Sequence, residues 1–344
     1  MTGFHRVDAI LNGACGTQFT AAVARIQQRG RLVFERAYGI TRNDELARPA
    51  YADTCFDLAS LTKLFIATLA LRLVADGRLA LDEPLAGVLP EWRRAAHDAI
   101  TARMLLAHNS GMNSGADYRA IMDQNVEQFA LRSELVAAPG ERVIYSDLGF
   151  IALGVVLERV AGASLGAQIA RTFAPSLGFR PRATARAQIP ATEEDGWRGR
   201  VQGFVHDEKA YLMGGAAGHA GLFGTAADVA ALTESYLAPL HARGAALLPE
   251  ALVRDAISEQ AGDPVLRRGL GWALKTTDEN SCGRLMDGSS FGHTGFVGTS
   301  VWADPVRDLQ GVLLTNAVYF GREDIRDLRA AFYEVMVEAC SPSD

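Results

Sequence analysis

The sequence has few cysteines, and they are widely spaced. Cys15, Cys55, Cys282 and Cys340 form no C-x-x-C pair, so the sequence predicts neither a zinc cluster nor a disulfide framework. The seven histidines include no H-x-x-x-H pair of the kind that binds zinc. We therefore expect no metal and no cofactor.

Long apolar runs and a secretory leader are also missing. The longest apolar run, residues 64–75, is interrupted by Thr68 and Arg72 and falls short of the ~20 residues that a membrane-spanning helix needs. Residues 1–13 lack the basic start and the continuous apolar core of a secretory signal. These absences predict a cytoplasmic protein without a membrane partner.

Positive charge is not in excess. The 34 Lys and Arg residues against 40 Asp and Glu residues give a net charge of -6, so the molecule as a whole does not attract phosphate backbones. Apolar residues form 49% and charged residues 22% of the 344-residue chain, which is ordinary for a globular protein with a buried core. We expect neither nucleic acid nor an obligate protein as partner.

Short strands are predicted near both ends of the chain, with helices between them. Residues 21–27 and 31–38 form a hairpin, and later strands are predicted at 269–275, 299–303 and 309–316. Helices are predicted at 57–76, 101–107, 126–137, 148–160 and 322–339. Gly77 and Gly162 suit the left-handed position just past a helix end.

This order of elements predicts an α/β protein of the α+β type, in which helices flank an antiparallel sheet. The two chain ends share the sheet, so residues 1–80 and 206–344 form one domain that is discontinuous in sequence. Residues 81–205 form a mostly helical inserted subdomain. A site is expected in the cleft between the two.

An S-x-x-K motif runs from Ser60 to Lys63 at the start of the predicted helix 57–76. Residues three apart share a helix face, so the Ser60 hydroxyl and the Lys63 amine can meet. The helix is apolar nearly all round, and burial lowers the pKa of a lysine and makes a neutral amine accessible. Such an amine can activate the serine as a nucleophile. By itself the motif is common by chance, and it is far more often a helix-start serine beside a snorkelling lysine.

A second serine motif at residues 162–166 matches the G-x-S-x-G elbow of α/β-hydrolases. The elbow requires an apolar strand before it, whereas residues 148–160 predict a helix. Ser164 is therefore interpreted as the cap of the next helix. Thr225 and Asp228 likewise predict a helix capping box.

Histidines and glycines near the middle of the chain invite other interpretations. His108 and His219 lie beside glycines in loops that flank the expected cleft, but neither has the spacing of a metal ligand. The glycines at 214, 215, 218, 221 and 224 lack the spacing of a dinucleotide-binding loop. We interpret His219 as a brace for its loop and the glycines as sites of close backbone packing.

Five phrases occur in a fixed order along the chain: FDLASLTK at 56–63, LLAHNSGM at 105–112, YSDLGF at 145–150, GHAGLFGTAADVA at 218–230 and GHTG at 292–295. In this order the chain resembles the serine β-lactamase and penicillin-binding-protein superfamily, in particular its class C-like branch, which includes D-amino-acid-type peptidases and family VIII carboxylesterases. The resemblance spans nearly the whole chain. It implies the β-lactamase/transpeptidase-like fold and a serine hydrolase.

The resemblance also implies roles for the matching residues. Ser60 is the nucleophile and Lys63 its lysine partner. Tyr145 carries the hydroxyl that shuttles the serine proton toward the leaving group. The backbone N–H groups of Ser60 and Phe296 form the oxyanion hole.

Four further positions are expected to bind substrate: Asp147, His293, Thr294 and Gly295. Residues 293–295 match the K-T-G element of the family, where Gly295 lets the substrate backbone approach closely. Two positions depart from the pattern, because Asp147 replaces an asparagine and His293 a lysine. A carboxylate at 147 favours a protonated Lys63 and repels anionic substrates. A histidine with a pKa of ~6.5 is a cation only below neutral pH.

These departures predict a serine hydrolase that acts through an acyl-enzyme on Ser60, with small neutral esters as substrates. The resemblance leaves open a β-lactamase, a D,D-carboxypeptidase or a D-aminopeptidase, which act on β-lactams or amides. A catalytically silent penicillin-binding sensor or binding module is the alternative from another class.

Overall fold

The computed structural model describes residues 3–94, 96–115, 117–244, 247–262, 264–265 and 267–341. The α-helices in these ranges are α1 (His5–Ala14), α2 (Thr62–Ala75), α3 (Ala102–Leu106), α4 (Val126–Arg132), α5 (Asp147–Ala161), α6 (Leu165–Thr172), α7 (Glu208–Leu212), α8 (Ala226–Leu240), α9 (Glu250–Ala256) and α10 (Arg326–Cys340). The strands are β1 (Ala21–Gln28), β2 (Arg31–Gly39), β3 (Phe56–Asp57), β4 (Gly178–Phe179), β5 (Glu193–Asp195), β6 (Gly199–Val201), β7 (Leu222–Gly224), β8 (Ala273–Leu274), β9 (Phe291–Thr294), β10 (Ser300–Asp304) and β11 (Leu309–Thr315).

The main sheet joins the two ends of the chain, as the sequence predicts. Its six strands lie in the order β2, β1, β11, β10, β9, β8, and every neighbouring pair is antiparallel. The α/β fold with an antiparallel sheet flanked by helices is therefore confirmed. A smaller sheet of β3, β7 and β4 lies beside the start of α2.

The main sheet is buried on both faces. Along β11, Val312 and Leu314 pack into the core that contains α2, α5 and α8, whereas Leu309 and Leu313 pack into the core that contains α1 and α10. Side chains of a strand alternate between faces, so a sheet covered on both sides needs apolar residues at consecutive positions. This explains why β11 is apolar along most of its length rather than alternating.

The predicted helix 57–76 begins five residues later than expected. Asp57 lies in β3, and its carboxylate accepts the N–H of Ala59 at 2.8 Å. Ala59 has a φ of +45°, outside the helical region. Ala59–Leu61 consequently form a 3-10 turn, and α2 begins at Thr62. At the other end Gly77 has the predicted left-handed conformation, with a φ of +68°.

Other predicted elements are shorter than expected. The strand at 269–275 is reduced to β8, because Gly271 has a φ of +84° that extended backbone does not accommodate. The helix at 126–137 ends at Arg132, after which the N–H of Val136 donates to the Gly111 carbonyl at 2.9 Å.

The two terminal helices pack together and cover one face of the sheet. The last helix begins at Arg326 rather than at 322. Helix α1, which the sequence analysis did not predict, places Val7 and Leu11 in the same core.

The division into residues 1–80 with 206–344 and residues 81–205 stays a prediction. Among the described residues, no single helix is both long and apolar enough to cross a membrane. Helices α5 and α6 meet that criterion only as a pair, bent by 74° at the break between them.

Candidate active site

Ser60 lies on the 3-10 turn between β3 and α2. Asp57 stabilises this turn. Its carboxylate accepts the Ala59 N–H at 2.8 Å and the His206 N–H at 2.7 Å. Burial raises the pKa of Asp57 to about 6. The sequence analysis did not single out Asp57, although it belongs to the FDLASLTK phrase.

Lys63, in the first turn of α2, is fully buried and lies beside Ser60. Its Nζ donates to Ser60 Oγ at 3.0 Å, to Asp147 Oδ1 at 2.9 Å and to the His219 carbonyl at 3.1 Å. One acceptor is thus available for each of the three protons of an ammonium group. Burial lowers the pKa of Lys63, but the attraction of Asp147 and Tyr145 is stronger and raises it above its ordinary value. The expectation of a neutral amine is wrong, and Asp147 keeps the lysine charged.

Tyr145 lies just before α5 and faces the same cleft as Ser60. Its ring centroid is 4.9 Å from Lys63 Nζ and 4.6 Å from the His108 ring. His108 braces this segment, since its Nδ1 accepts the Ser146 N–H at 3.0 Å. Burial holds the pKa of His108 well below its ordinary value, which keeps the ring neutral and able to accept. The structure therefore brings together the predicted nucleophile, lysine and tyrosine.

Strand β9 ends beside the Ser60 turn and carries His293 and Thr294. The Gly295 N–H donates to the Thr299 carbonyl at 2.7 Å, and the Gly295 carbonyl accepts from buried Arg329 at 2.9 Å. The N–H of Phe296 makes no hydrogen bond with any residue that the structure describes. Phe296 lines the cleft together with Ser60, which is where an oxyanion donor has to lie.

Gly295 has a packing role in addition to the predicted contact with substrate. A Cβ at this position would lie 2.1 Å from Thr299 Oγ1 and 2.9 Å from the Leu58 carbonyl oxygen. The missing side chain therefore allows β9 to pack against the Ser60 turn. Gly295 also lines the cleft, and its contact with the substrate backbone stays a prediction.

His293 is neutral throughout the physiological pH range. Burial, together with the charges of Arg268 and Lys63, lowers the pKa of His293 to about 3. Its Nδ1 is 2.7 Å from the Thr294 carbonyl oxygen, which can only accept. The expectation that His293 titrates near pH 6.5 is wrong, because the sequence analysis did not foresee this burial or Arg268.

A network of charged side chains lies behind Lys63. Asp147 Oδ2 is 3.3 Å from Lys209 Nζ, and His219 Nε2 is 2.8 Å from Asp207 Oδ1. Asp147, Asp207 and His219 have ligand atoms within 4.8 Å of one another, a spacing suited to a metal ion. However, the ammonium groups of Lys63 and Lys209 already contact both oxygens of Asp147. The arrangement fits an ion-pair network better than a metal centre.

The sequence analysis missed Asp207 and Lys209 altogether. His219 braces its loop as predicted and also gives its carbonyl to Lys63. The run His-Asp-Glu-Lys at 206–209, just before the glycine-rich segment, is the signal that would have drawn attention to them.

The cleft in front of Ser60 has a volume of about 430 Å³. Its apolar wall includes Leu274, Phe296 and Trp302. Its basic wall includes Arg268, whose guanidinium carbon lies 5.3 Å from the centroid of the Tyr145 ring. Arg268 is 9% exposed and was also missed by the sequence analysis. The Arg267-Arg268 doublet is its only signal in the sequence.

Comparison with known proteins agrees with this fold. The model of the Beta-lactamase family matches residues 8–335. The chain belongs to the Beta-lactamase family. It is 31% identical to Esterase EstB of Burkholderia gladioli over 92% of this chain and 91% of the relative. It is 30% identical to N-acetylmuramyl-L-alanine amidase of Bacillus subtilis over 90% of this chain and 80% of the relative.

A solved class C β-lactamase has the same fold as this member of the Beta-lactamase family. The two superpose with a TM-score of 0.79 over 98% of each chain at 17% identity. The two relatives named above are an esterase and an amidase, both of which are hydrolases. The chain is accordingly a serine hydrolase of the β-lactamase and penicillin-binding-protein family.

The second serine motif of this Beta-lactamase-family chain, at residues 162–166, has a structural role as a helix cap. Ser164 caps α6, with its Oγ accepting the Ala167 N–H at 3.2 Å. The Thr225 and Asp228 capping box at the start of α8 is also confirmed. Among the glycines near His219, Gly218 packs against α5, where a Cβ would lie 2.0 Å from the Phe150 carbonyl oxygen. Close packing is therefore the role of Gly218, as expected.

Proposed function

We propose that the protein hydrolyses carboxylic esters through an acyl-enzyme on Ser60. The observation that carries the proposal is the placement of Ser60 Oγ, 3.0 Å from the Lys63 ammonium and in the same cleft as Tyr145. This arrangement provides a nucleophile, a fixed positive charge and a proton carrier within one cleft.

The charge of Lys63 decides which group takes the serine proton. Because Lys63 uses its three protons on Ser60, Asp147 and the His219 carbonyl, it does not act as the base. The neighbouring Tyr145 takes the Ser60 proton, and the nearby ammonium stabilises the resulting phenolate.

Acylation and deacylation then follow one proton path. Ser60 Oγ bonds to the carbonyl carbon, and the carbonyl oxygen becomes an oxyanion that the N–H groups of Ser60 and Phe296 stabilise. As the carbon–oxygen bond of the ester breaks, Tyr145 returns the proton to the departing alkoxide. Water then loses a proton to Tyr145, attacks the acyl carbon and releases the acid, and the proton returns to Ser60 Oγ.

Small neutral esters suit the cleft best. The Leu274, Phe296 and Trp302 wall can accommodate a short apolar acyl group. His293 stays neutral and offers no cation where the family has a lysine. An alkoxide also leaves more readily than an amide anion, so an ester depends less than an amide on protonation of its leaving group.

A second candidate substrate class is an amide or β-lactam that carries a carboxylate. The specific observation is Arg268, a cation on the cleft wall beside Tyr145, which could bind such a group. The two ammonium groups on Asp147 also weaken the repulsion predicted from its carboxylate. The relationship to the Bacillus subtilis amidase is compatible with this alternative.

Covalent labelling tests the proposed nucleophile. The protein is exposed to a fluorophosphonate, digested and mapped by mass spectrometry, with Ser60→Ala as the control. We expect one adduct on Ser60 and none in the Ser60→Ala protein. A silent binding module would carry no adduct, and an adduct on another serine would refute the assignment. Turnover of short-chain 4-nitrophenyl esters, D-amino-acid amides and nitrocefin then ranks the substrate classes.

A further inference from the structure

Asp147 creates an electrostatic problem for the proposed proton path. Its carboxylate pairs with the Lys63 ammonium at 2.9 Å, and such a pair has no net charge. Tyr145 nevertheless needs net positive charge nearby if its phenolate is to form near neutral pH. A neutral asparagine, which the family pattern has at this position, would leave the Lys63 charge uncompensated.

Lys209 of α7 supplies a second cation at this point. Its Nζ lies 3.3 Å from the Asp147 oxygen Oδ2, whereas Lys63 contacts Oδ1. The side chains of Lys209 and Asp147 are each only 15% exposed, so solvent screens the pair less than at the surface. Burial lowers the pKa of Lys209, but the carboxylates of Asp207 and Asp147 outweigh burial and raise it. Lys209 is therefore charged.

Asp207, the second carboxylate whose charge acts on Lys209, is itself held in place. Asp207 caps α7 by accepting the Ala210 N–H at 2.8 Å, and the same oxygen lies 2.8 Å from His219 Nε2. The His219 backbone carbonyl in turn accepts a hydrogen bond from Lys63 Nζ. Lys209 is thus paired directly with Asp147, and the fixed carboxylate of Asp207 attracts it without a direct ion pair between them.

We propose that Lys209 is a positioning residue whose ammonium offsets the charge of Asp147 and so keeps the surroundings of Tyr145 positive. The inference rests on the proposed function, in which Tyr145 takes the Ser60 proton. It assigns to the residue pair 147 and 209 the role that a single neutral amide has in the family pattern. Without Lys209, Asp147 is expected to cancel the charge of Lys63 beside Tyr145.

The other groups around Tyr145 include one further cation, Arg268, whose guanidinium carbon lies 5.3 Å from the centroid of the tyrosine ring, and Lys209 adds to the positive charge that Arg268 provides. His108 and His293 pack near the tyrosine ring, at 4.6 and 6.0 Å between centroids, and both are neutral because burial depresses the pKa of each. Lys63 and Arg268 are cations in the wild-type protein and remain present in every variant below. A substitution at 147 or 209 therefore changes one charge at a time.

The test is the pH dependence of the rate at which a fluorophosphonate labels Ser60. Wild type is compared with Lys209→Met, Asp147→Asn and the double variant, and Lys209→Arg is the conservative control. Arg254→Met, on an exposed side chain of α9, controls for the loss of one positive charge elsewhere. Labelling requires the base form of the proton acceptor, so the rate falls on the acidic side of the pH–rate profile.

We expect opposite shifts from the two single variants. In the plot of labelling rate against pH, the acidic limb is the range in which the rate falls as the pH falls. Lys209→Met moves this limb to higher pH by about one pH unit, and at any pH below the midpoint of the limb the rate is about tenfold lower than in wild type. Asp147→Asn moves the limb to lower pH, and the double variant returns it to near the wild-type position. Lys209→Arg and Arg254→Met leave the limb in place.

A merely structural role for Lys209 would give a different result. The rate would then fall equally at every pH, and Asp147→Asn would not restore it, which would overturn the inference. If Lys209→Met does not fold, Lys209→Gln makes the same charge change. Absence of any Ser60 adduct in wild type would refute the proposed function itself. Normal labelling with an unshifted limb in the 209 variants would refute only the role of Lys209.

Discussion

The Lys63 ammonium and the Asp147 carboxylate form a buried ion pair, with 2.9 Å between Nζ and Oδ1. A buried charge left without its partner is costly, so each residue fixes the ionisation of the other. The pair explains why Lys63 stays charged even though its side chain is fully buried. In the proposed mechanism, this pair leaves the role of base to Tyr145.

Loss of either proton-handling residue should slow turnover strongly. Lys63→Ala removes the charge that stabilises the Tyr145 phenolate, and Tyr145→Phe removes the proton acceptor. We expect each variant to lower kcat/KM for 4-nitrophenyl butyrate by ~10²-fold or more. The double variant should be much less impaired than the product of the two effects. Fully multiplicative effects would show that the residues do not share one proton path.

The two serine motifs should respond differently to alanine. Ser60→Ala should abolish ester hydrolysis and leave the melting temperature nearly unchanged. Ser164→Ala removes the cap of α6, which costs about 1 kcal/mol of the free energy of unfolding, and should leave kcat/KM intact. Urea unfolding and steady-state kinetics on both variants check this. An inactive Ser164→Ala protein beside an active Ser60→Ala protein would reverse the assignment.

A methyl group at position 295 should disturb the site. The Cβ of Gly295→Ala would collide with Thr299 Oγ1 and the Leu58 carbonyl, at a cost of about 1–3 kcal/mol in the free energy of unfolding. The shift of β9 would displace the Phe296 N–H, so we expect kcat to fall by about tenfold or more. Gly288→Ala is the matched control, since its Cβ would have no atom within 4 Å. Equal behaviour of the two variants would contradict this packing argument.

The preference for neutral over anionic substrates should not depend on pH through His293. Its pKa of about 3 lies below the usual value of about 6.5, so the ring is neutral from pH 6 to pH 8. The ratio of kcat/KM for nitrocefin to kcat/KM for a neutral ester should have the same pH dependence in wild type and His293→Gln. The ratio is informative because titration of the groups on the shared proton path changes kcat/KM for both substrates and therefore cancels in the ratio. A rise of the ratio toward pH 6 that disappears in His293→Gln would show that His293 titrates near neutrality.

Arg268 should matter most for substrates that carry a carboxylate. Arg268→Met removes a charge that could pair with that group, which predicts a loss of kcat/KM of about tenfold or more for nitrocefin or a D-alanyl peptide. Neutral esters should lose less, because they feel only the effect of Arg268 on Tyr145. Arg254→Met, whose side chain is 59% exposed, should affect neither class. If both substrate classes lose equally in Arg268→Met, the arginine supports the cleft and does not select substrates.

The sequence by itself determined the features that depend on neighbouring residues. The S-x-x-K spacing placed Ser60 and Lys63 in contact, at 3.0 Å, because three residues make nearly one helical turn. The Ser164 cap depended on the three residues that follow it, and the left-handed end at Gly162 on the absence of a side chain. The order of the five phrases indicated the family, and the order of predicted strands and helices indicated the sheet shared by the two chain ends.

Only the tertiary structure decided the ionisation of the site and its supporting residues. Lys209 reaches Asp147 from a segment 62 residues further along the chain, and no local pattern records that contact. The neutral state of His293 likewise depends on its burial and on the charges of Arg268 and Lys63. Charge interactions act through space and strengthen with burial. Spacing in the sequence therefore predicted which residues carry the chemistry, whereas the packed structure decided which of them are charged.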